Sequence, residues 1–336
     1  GLGTVAVALV ASYFLGVSPM TMLNLLSGGG GGSGAMQTQR PEPSSAKAHD
    51  PGAVFVRQVL ATTEDVWQQQ FAQHGQRYTL PRLTLAGEQR SNDGTRKFLF
   101  TLSDGQSIET VAIPDGKRLT LCISSQAGCA LQCAFCATGA MGFVRNLEPF
   151  EIAGQVRELA FLDEPIRPTN IVFMGMGEPL MNWPAVDVVL TVLNDPHGIG
   201  IGARHITLST VGWLPGIEAL EARKEQFRLA ISIHAPSDAL RATLMPVNTK
   251  FPLDAVIARA ARFSRRVTFE YVLLGGVNDA NEHADALAGL ARRCGAFVNL
   301  IPLHPGGAMG FVPSPPERII TFAARIRAAG VEVAIR

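Results

Sequence analysis

The stretch Gly128–Cys136 (GCALQCAFC) carries three cysteines with the spacing Cys-x3-Cys-x2-Cys. Three thiolates this close together, from Cys129, Cys133 and Cys136, can bind three irons of a [4Fe–4S] cube and leave the fourth iron open to another ligand. The alternative is a structural zinc ion with Cys122 or a histidine as its fourth ligand. Structural zinc sites usually pair two cysteine knuckles, and the sequence contains no second knuckle, so the spacing favours the iron–sulfur cluster.

Strand-like and helix-like segments alternate on both sides of this stretch. Residues 93–114 (DGTRKFLFTLSDGQSIETVAIP) predict a small β-hairpin system with Asp-Gly turns. The later candidate strands are Leu119–Ile123, Asn170–Met174, His205–Ser209, Phe227–Ile233, Val267–Leu273, Val298–Ile301 and Val331–Ile335. The candidate helices between them include Glu151–Phe161, Asn281–Cys294 and Pro316–Ala329. This alternation predicts the α/β class, with a parallel sheet that is open or closed into a barrel.

Polar motifs follow several of these strands, and the ends of parallel strands are where barrel enzymes carry their chemistry. In GMGEPL (175–180), glycines allow a ligand close to the backbone and Glu178 can accept from an ammonium group. The hydroxyls of LSTVG (208–212) and the His of SIHAP (232–236) suit a ribose and a carboxylate. Alone, GMGEPL is equally compatible with an ordinary turn, and an ordinary strand end is the better interpretation of each of the other two motifs. Together, the three motifs predict a ring of polar strand ends around one ligand.

Three further residues invite a chemical or a structural interpretation. Cys122 lies seven residues before Cys129 and is either a small buried side chain or a redox or nucleophilic group. Glu109 is either a base or a solvated strand residue, and the sequence alone favours the second. Cys294, in a helical context, is interpreted as structural.

The first 90 residues differ in character from the rest. Residues 1–26 carry no charge and contain an apolar stretch that is marginal for a transmembrane helix, since about 20 apolar residues are needed to span a bilayer. Residues 27–52 are a Gly-, Pro- and Ser-rich linker. Residues 53–90 have helical periodicity, and residues 91–336 form the cluster-bearing domain.

Composition adds little about partners but does indicate a compartment. Five cysteines in 336 residues, three of them clustered, do not make a disulfide framework, and such a cluster needs a reducing compartment, which predicts the cytoplasm. The net charge of +1 gives no electrostatic argument for nucleic acid.

Residues 91–336 resemble the radical S-adenosylmethionine (SAM) methyltransferases that modify C2 of adenine in 23S rRNA and, in many bacteria, in tRNA. They are also similar to the related adenine-C8 methyltransferases. The resemblance rests on the phrases IETVAIP, TLCISSQAGCALQCAFCATGAMGFVRNL, EIAGQV, NIVFMGMGEPL, HITLSTVG, LAISIHAP, FEYVLLGGVND and VNLIPLHP. The fold that it implies is a partial (β/α) barrel of the radical SAM type, here preceded by a small β element. Residues 1–88 resemble the beginning of bacterial neutral zinc metallopeptidases, but the sequence lacks their His-Glu-x-x-His motif, so we assign this segment no chemistry.

The methyltransferase resemblance implies a role for particular residues. Cys129, Cys133 and Cys136 would bind the cluster, Glu109 would accept a proton, and Cys122 would resolve a covalent intermediate. The residues implied to contact SAM are Gly177, Glu178, Ser209, Ser232, Ile233, His234 and His304. At the last of these positions the family usually has asparagine.

The implied reaction uses two SAM molecules and two cysteines. One SAM methylates a cysteine, the second gives a 5′-deoxyadenosyl radical that activates this methyl group, and the resulting carbon radical adds to adenine. The methyl-carrying cysteine belongs to a C-terminal family motif (D-I-x-A-A-C-G-Q-L), which we expect a few residues beyond Arg336. Residues 1–336 lack this cysteine, so we expect them to be an incomplete methyltransferase. The family's small helical N-terminal domain is replaced here by the peptidase-like segment.

The sequence therefore predicts an RNA adenine-C2 methyltransferase that needs a [4Fe–4S] cluster, SAM, an RNA substrate and an electron donor such as flavodoxin or ferredoxin. One alternative is a radical SAM protein that cleaves SAM without methylating RNA, and another is adenine-C8 specificity. A third, from a different class, is a membrane-tethered binding module, with membrane contact through residues 1–26 and zinc on the cysteines.

Overall fold

The computed structural model describes residues 83–196, 198–304 and 310–336. The chain divides into two units, Gly1–Leu80 and Pro81–Arg336, and the described residues belong to the second. The predicted apolar segment 1–26, the linker 27–52 and most of the segment 53–90 therefore lie outside the described residues. Among the helices that are described, none is both long and apolar enough to cross a membrane.

Ten strands of the described residues form one sheet, and two more form a separate hairpin. The strands are β1 (Thr84–Arg90), β2 (Arg96–Thr101), β3 (Ser107–Asp115), β4 (Arg118–Cys122), β5 (Gln126–Gly128), β6 (Phe143–Asn146), β7 (Asn170–Phe173), β8 (Ile206–Thr210), β9 (Arg228–Ser232), β10 (Val267–Leu273), β11 (Phe297–Pro302) and β12 (Val333–Ile335). The sheet order is β1-β2-β3-β4-β7-β8-β9-β10-β11-β12, and β5 pairs with β6. The first four strands are antiparallel, and every pairing from β4·β7 to β11·β12 is parallel.

Helices lie in every connection between the parallel strands from β4 to β12. They are α1 (Ala137–Ala140), α2 (Pro149–Ala160), α3 (Trp183–Asn194), α4 (Leu214–Ala222), α5 (Asp238–Leu244), α6 (Leu253–Arg262), α7 (Asn281–Cys294) and α8 (Pro316–Ala328). Local sequence sets several of their ends. Helix α2 begins with a capping box between Glu148 and Glu151, and α7 ends at Gly295, whose φ of 61° gives the left-handed C-cap.

The two faces of the parallel strands differ in polarity because successive side chains point to opposite sides of a sheet. One face is apolar and packs in the main core under the helices. Its residues include Leu121, Ile171, Phe173, Ile206, Leu208, Leu229, Ile231, Phe269, Tyr271, Val298 and Leu300. The other, inner face carries polar side chains at the matching alternate positions. A smaller apolar cluster that includes Val272 and Leu244 covers part of the inner face, and the polar positions beside it are where a ligand can reach the sheet.

The predicted α/β class with a parallel sheet is confirmed, and the predicted strands agree with the observed ones to within about two residues. His205 lies in a short 3-10 turn, so β8 begins one residue later than expected. Strand β12 begins at Val333 because the backbone N–H of Val331 still bonds to Ile326, at the end of α8.

The sequence also missed one strand of the sheet. Strand β1 lies within residues 53–90, which the sequence placed in the peptidase-like helical segment, yet it pairs with β2 along its whole length. Of its seven residues only Leu85 and Gly87 are partly buried, so its alternation of apolar residues was too weak to predict a strand.

Candidate functional site

One cavity of about 250 Å³ lies at the C-terminal ends of strands β7 to β10, beneath the cysteine loop. Eight residues predicted from the sequence line it: Cys129, Cys133, Cys136, Gly177, Glu178, Ser209, Ser232 and His234. Residues that the sequence did not single out as ligands complete the wall, among them Phe135, Thr138, Thr210, Met245, Glu270 and Ile301. The polar strand ends predicted from the sequence and the three cysteines therefore line the same cavity.

The cysteine loop is fixed at both ends by backbone contacts. The N–H of Cys129 donates to the carbonyl oxygen of Gly142 at 2.8 Å. Gly128, with a φ of +76°, passes so close to this carbonyl that a Cβ atom would lie 1.9 Å from the oxygen, so no other residue fits there. At the other end, the N–H of Ala134 donates to the carbonyl oxygen of Leu244 at 2.9 Å, which ties the loop to the end of α5.

The three thiols form a donor set that suits an iron–sulfur cube. Burial raises the pKa of Cys129, and it raises that of Cys133 to about 12, so these thiols need a nearby cation to become thiolate ligands. In the described residues, no three His, Cys, Asp or Glu side chains converge closely enough to hold a single metal ion. A [4Fe–4S] cube would take one thiolate on each of three irons, so these three cysteines could hold it and leave one iron free for another ligand.

Glu178 is a buried carboxylate held in a defined orientation. Its two oxygens accept from the N–H groups of Leu180 (3.2 Å) and Val211 (2.9 Å). The side chain of Gln126 accepts from the N–H of Glu178 at 2.8 Å and fixes the backbone there. Burial raises the pKa of Glu178 to about 7, despite these hydrogen bonds. A cationic ligand in the cavity would restore its negative charge.

Gly177 allows the backbone to bring Glu178 into the cavity. Its φ is +96°, and a Cβ atom would lie 2.4 Å from Cβ of Gln126. Two serines continue the lining on the next two strands, where the hydroxyl of Ser209 lies 3.4 Å from that of Ser232. Hydroxyls so placed can donate to or accept from one ligand.

His234 is held as a neutral imidazole. Its Nδ1 accepts from the N–H of Val272 at 3.0 Å, so the ring proton belongs to Nε2. Burial, with the charge of Arg241, lowers the pKa of His234 to about 3. The backbone of His234 has a φ of 55°, and its carbonyl accepts from the side chain of Asn278 at 2.8 Å. Its ring makes an edge contact with Phe135 of the cysteine loop, with centroids 4.7 Å apart.

Arg241 is a supporting residue that sequence reasoning missed. Its fully buried guanidinium donates to the carbonyl oxygens of Val211 (2.5 Å), Ser232 (3.3 Å) and Ile233 (3.2 Å), which end β8 and β9. It also donates to the side chain of Asn248 at 2.8 Å. The side chain therefore holds two strand ends of the cavity together.

Four predicted site residues do not line the cavity. Ile233 is fully buried in the core, and only its backbone contributes to the strand end. His304 is exposed, beyond the end of β11. Glu109 lies on β3 with its side chain 45% exposed, and its carboxylate pairs with the ammonium of Lys97 at 3.0 Å. Cys122 ends β4, and burial raises its pKa to about 12.

Glu109 and Cys122 nevertheless belong to the inner face of the sheet that carries Ser209 and Ser232. Cys122 is in register with Val111, two residues from Glu109 on β3. The adjoining residue Ile123 bonds to the N–H of Gly175, which lines the cavity. Cys122 is therefore beside the edge of the cavity, and Glu109 is farther out along the same face.

Comparisons with known proteins agree with this arrangement. The radical SAM superfamily matches residues 123–288, and the neutral zinc metallopeptidase family matches residues 1–96. The probable dual-specificity RNA methyltransferase RlmN of Gemmatimonas aurantiaca is 65% identical over 305 residues, which cover 90% of this chain and 85% of that protein. Because 90% of the chain is covered, this alignment also includes residues before Ser91.

Two other proteins support the same relationship at lower identity. The dual-specificity RNA methyltransferase RlmN of Magnetococcus marinus is 46% identical over 263 residues, 76% of this chain and 73% of that protein. A crystal structure of a radical SAM methyltransferase from Sphaerobacter thermophilus is 41% identical, with a TM-score of 0.74, and covers 83% of this chain and 85% of that one.

Proposed function

Because this chain belongs to the radical SAM family of dual-specificity RNA methyltransferases, we propose that it transfers a methyl group to C2 of adenine in RNA. Its substrates are 23S rRNA and tRNA, and a small electron-transfer protein such as flavodoxin or ferredoxin reduces it. The observation that supports this most directly is the single cavity shared by the three cysteines and by Glu178, Ser209, Ser232 and His234.

Each residue of this cavity has a chemical task that its environment suits. Cys129, Cys133 and Cys136 hold the [4Fe–4S] cluster, which together with SAM supplies a radical by one-electron cleavage of the sulfonium bond. Glu178 accepts from the ammonium group of SAM, since its carboxylate is already fixed by two backbone N–H groups. His234 offers its Nε2–H as a donor, because its Nδ1 is occupied.

Glu109 and Cys122 act on the RNA side of the reaction. Glu109 is half-exposed on the inner face, where a flipped-out adenine can reach it, and it accepts the proton that leaves the adenine carbon. Cys122 resolves the covalent intermediate from its position beside the cavity edge. Its raised pKa keeps the thiol protonated at neutral pH, so a base close to it in the complex with RNA must remove this proton.

Mass spectrometry of the reaction products tests this proposal. We would load the protein, extended through the C-terminal motif expected beyond Arg336 so that the methyl-carrying cysteine is present, with cluster under anaerobic conditions. We would then add reductant, SAM and a 23S rRNA fragment or unmodified tRNA, and measure 5′-deoxyadenosine and methylated adenosine. The proposal expects both products, with the methyl group at C2. Formation of 8-methyladenosine would replace the C2 assignment. Formation of 5′-deoxyadenosine without methylated RNA would instead support a protein that cleaves SAM only.

A further inference from the structure

A buried carboxylate in the cavity has no part in the function described so far. Glu270 lies in the middle of β10, is only 6% exposed and lines the same cavity as the cysteines. It is in register with Ser232 on β9, so the two side chains share the inner face of the sheet. The inner face thus places an acid directly beside Ser232, with Ser209 one strand farther along the same face.

The hydrogen bonds of Glu270 leave one of its oxygens for a ligand. Among the described residues, Asn299 Nδ2 donates to Oε1 at 2.8 Å and Thr268 Oγ1 donates to the same atom at 3.2 Å. No hydrogen bond from the described part of the chain reaches Oε2. In that part of the chain, Nε of Arg259 is the one side-chain nitrogen or oxygen atom that is fully buried and has no partner. Oε2, which also has no partner, is therefore accessible, and it faces the cavity that Glu270 lines.

The charge of Glu270 is not neutralised by a direct partner in the described residues. The guanidinium of Arg336 donates to Asn299 Oδ1 at 3.0 Å rather than to Glu270, and its positive charge only partly offsets the effect of burial on the pKa of Glu270. Burial raises the pKa of Glu270. A buried carboxylate that is charged raises the free energy of the folded state unless further hydrogen-bond donors reach it. Each such donor stabilises the charged form. The cavity is the direction from which such a donor can come.

The neighbours of Glu270 indicate which donor fits. Ser209, Ser232 and Glu270 occupy three adjacent strands on one face, and neighbouring strands are about 4.8 Å apart. The row therefore offers two hydroxyls and a carboxylate oxygen over about 10 Å. A vicinal diol needs an acceptor for its protons and donors for its oxygens, and this row supplies both. A carboxylate accepts from a ribose hydroxyl in the same way in the dinucleotide-binding folds that hold NAD.

We propose that Glu270 binds SAM by accepting hydrogen bonds from the ribose hydroxyls through Oε2. The ammonium end of the ligand lies at Glu178, next to β7, and the ribose lies across β8 to β10. This assignment rests on the proposed placement of SAM in the cavity. Glu270 is then a specificity-determining residue, since it distinguishes ribosyl ligands from their deoxy analogues.

Anaerobic titration calorimetry on the cluster-loaded, unreduced protein tests this contact without requiring turnover. The probes are SAM, its 2′-deoxy and 3′-deoxy analogues, and an analogue that lacks the 6-amino group of adenine. Since a hydrogen bond to a charged group contributes more than a neutral one, we expect the wild-type chain to bind at least one deoxy analogue about tenfold more weakly than SAM.

Glu270→Gln keeps the shape and still accepts from Asn299 and Thr268, but it turns the free acceptor into an amide donor. We expect this variant to bind SAM about tenfold more weakly and to lose its preference over the deoxy analogue. Glu317→Gln, which changes an exposed carboxylate at the start of α8, is the matched control and should behave as wild type.

Three outcomes are decisive. If the wild-type chain binds both deoxy analogues as tightly as SAM, the ribose contact is wrong, and this result needs no variant to fold. If only the 6-deamino analogue binds weakly, and Glu270→Gln removes that difference, Glu270 contacts the adenine amino group and the ribose assignment is overturned. If the cluster-loaded wild type does not bind SAM at all, the proposed function itself fails.

Discussion

The parallel strands β7–β12 and the antiparallel strands β1–β4 contribute to the same inner face but bury their polar residues to different extents. At the parallel end, Glu178 and His234 are nearly inaccessible and each is fixed by backbone hydrogen bonds. At the antiparallel end, Glu109 is half-exposed and its observed partner is the equally exposed Lys97. The same sheet therefore combines a closed end, the cavity around Glu178 and His234, with an open end, the exposed region around Glu109.

This difference matches what the two ends have to bind. A small ligand and a cluster can be enclosed, and a rigid set of donors and acceptors then costs little further ordering when they bind. An RNA base must enter from outside, so the residues that act on it need exposure. Substitutions at the closed end should therefore change binding, and substitutions at the open end should change the fate of the bound reactants.

The largest effect should come from the cluster ligands. We expect Cys133→Ala to lose iron and sulfide and to abolish SAM cleavage, because two thiolates cannot hold three corners of the cube. The measurements are iron content and 5′-deoxyadenosine formation. Cys294→Ala removes a cysteine far from the cavity lining and is the matched control. Full iron content in Cys133→Ala would mean that another residue serves as the ligand.

The open end should separate SAM cleavage from methyl transfer. In Glu109→Gln and Cys122→Ser, we expect cleavage within a few-fold of wild type but a loss of methylated RNA of about 10²-fold or more, the usual contribution of a positioned acid or base. The ratio of methyladenosine to 5′-deoxyadenosine is the measurement, with Cys294→Ser as control. An equal loss of both products would place these two residues in the closed site and break the comparison.

Glu178 should make the stability of the closed end depend on pH. Its pKa is about 7 in the folded chain and close to 4.5 when unfolded, so the folded state holds the extra proton between these values. The folded state is then stabilised by this group at low pH and loses about 3 kcal/mol as pH rises through 7.

Urea unfolding of the cluster-free chain at pH 5 and pH 8 measures this difference. Relative to wild type, Glu178→Gln should gain about 2 to 3 kcal/mol between the two pH values, because the amide does not ionise and pH 5 already lies just above the unfolded pKa. The comparison must be made relative to wild type, since the titration of His234 changes the free energy of unfolding in the opposite direction. Its pKa is lowered from 6.5 to about 3, so its contribution is lost as pH falls below 6.5. A constant difference between the two proteins would show that Glu178 is not buried in solution.

The smallest effect should follow removal of Lys97. Exposed ion pairs contribute little, so Lys97→Met should change the free energy of unfolding by less than about 1 kcal/mol. SAM binding should not change, since Lys97 lies outside the closed site. A large loss of SAM affinity would show that the two ends are coupled.

Sequence patterns were sufficient for the elements and for the local motifs of the closed end. The cysteine spacing, GMGEPL and SIHAP each place their side chains within a few residues of a strand end, and alternating apolar residues located those strands. Helix α7 was predicted at the bounds observed because it has a strong apolar period and a C-terminal glycine.

Contacts between residues on different strands could not be predicted from local sequence patterns. Arg241 binds carbonyl groups 8 and 30 residues earlier in the chain, and nothing in its local sequence distinguishes it from an ordinary helical arginine. Glu270 belongs to the site only because the register of β9 and β10 places it beside Ser232. A buried charged residue inside an apolar strand such as VTFEYVL was the one signal that could have identified it.

The attachment of the cysteine loop to α5 has a consequence for when the site can form. The ribosome synthesises Cys129–Cys136 about a hundred residues before Leu244, yet the N–H of Ala134 bonds to the carbonyl of Leu244. Arg241, which joins the ends of β8 and β9, also emerges only then. Nascent chains fold as their segments become available. The contacts that fix the cysteine loop and the two strand ends can therefore form only after α5 has been synthesised, so the complete cavity is a late product of folding.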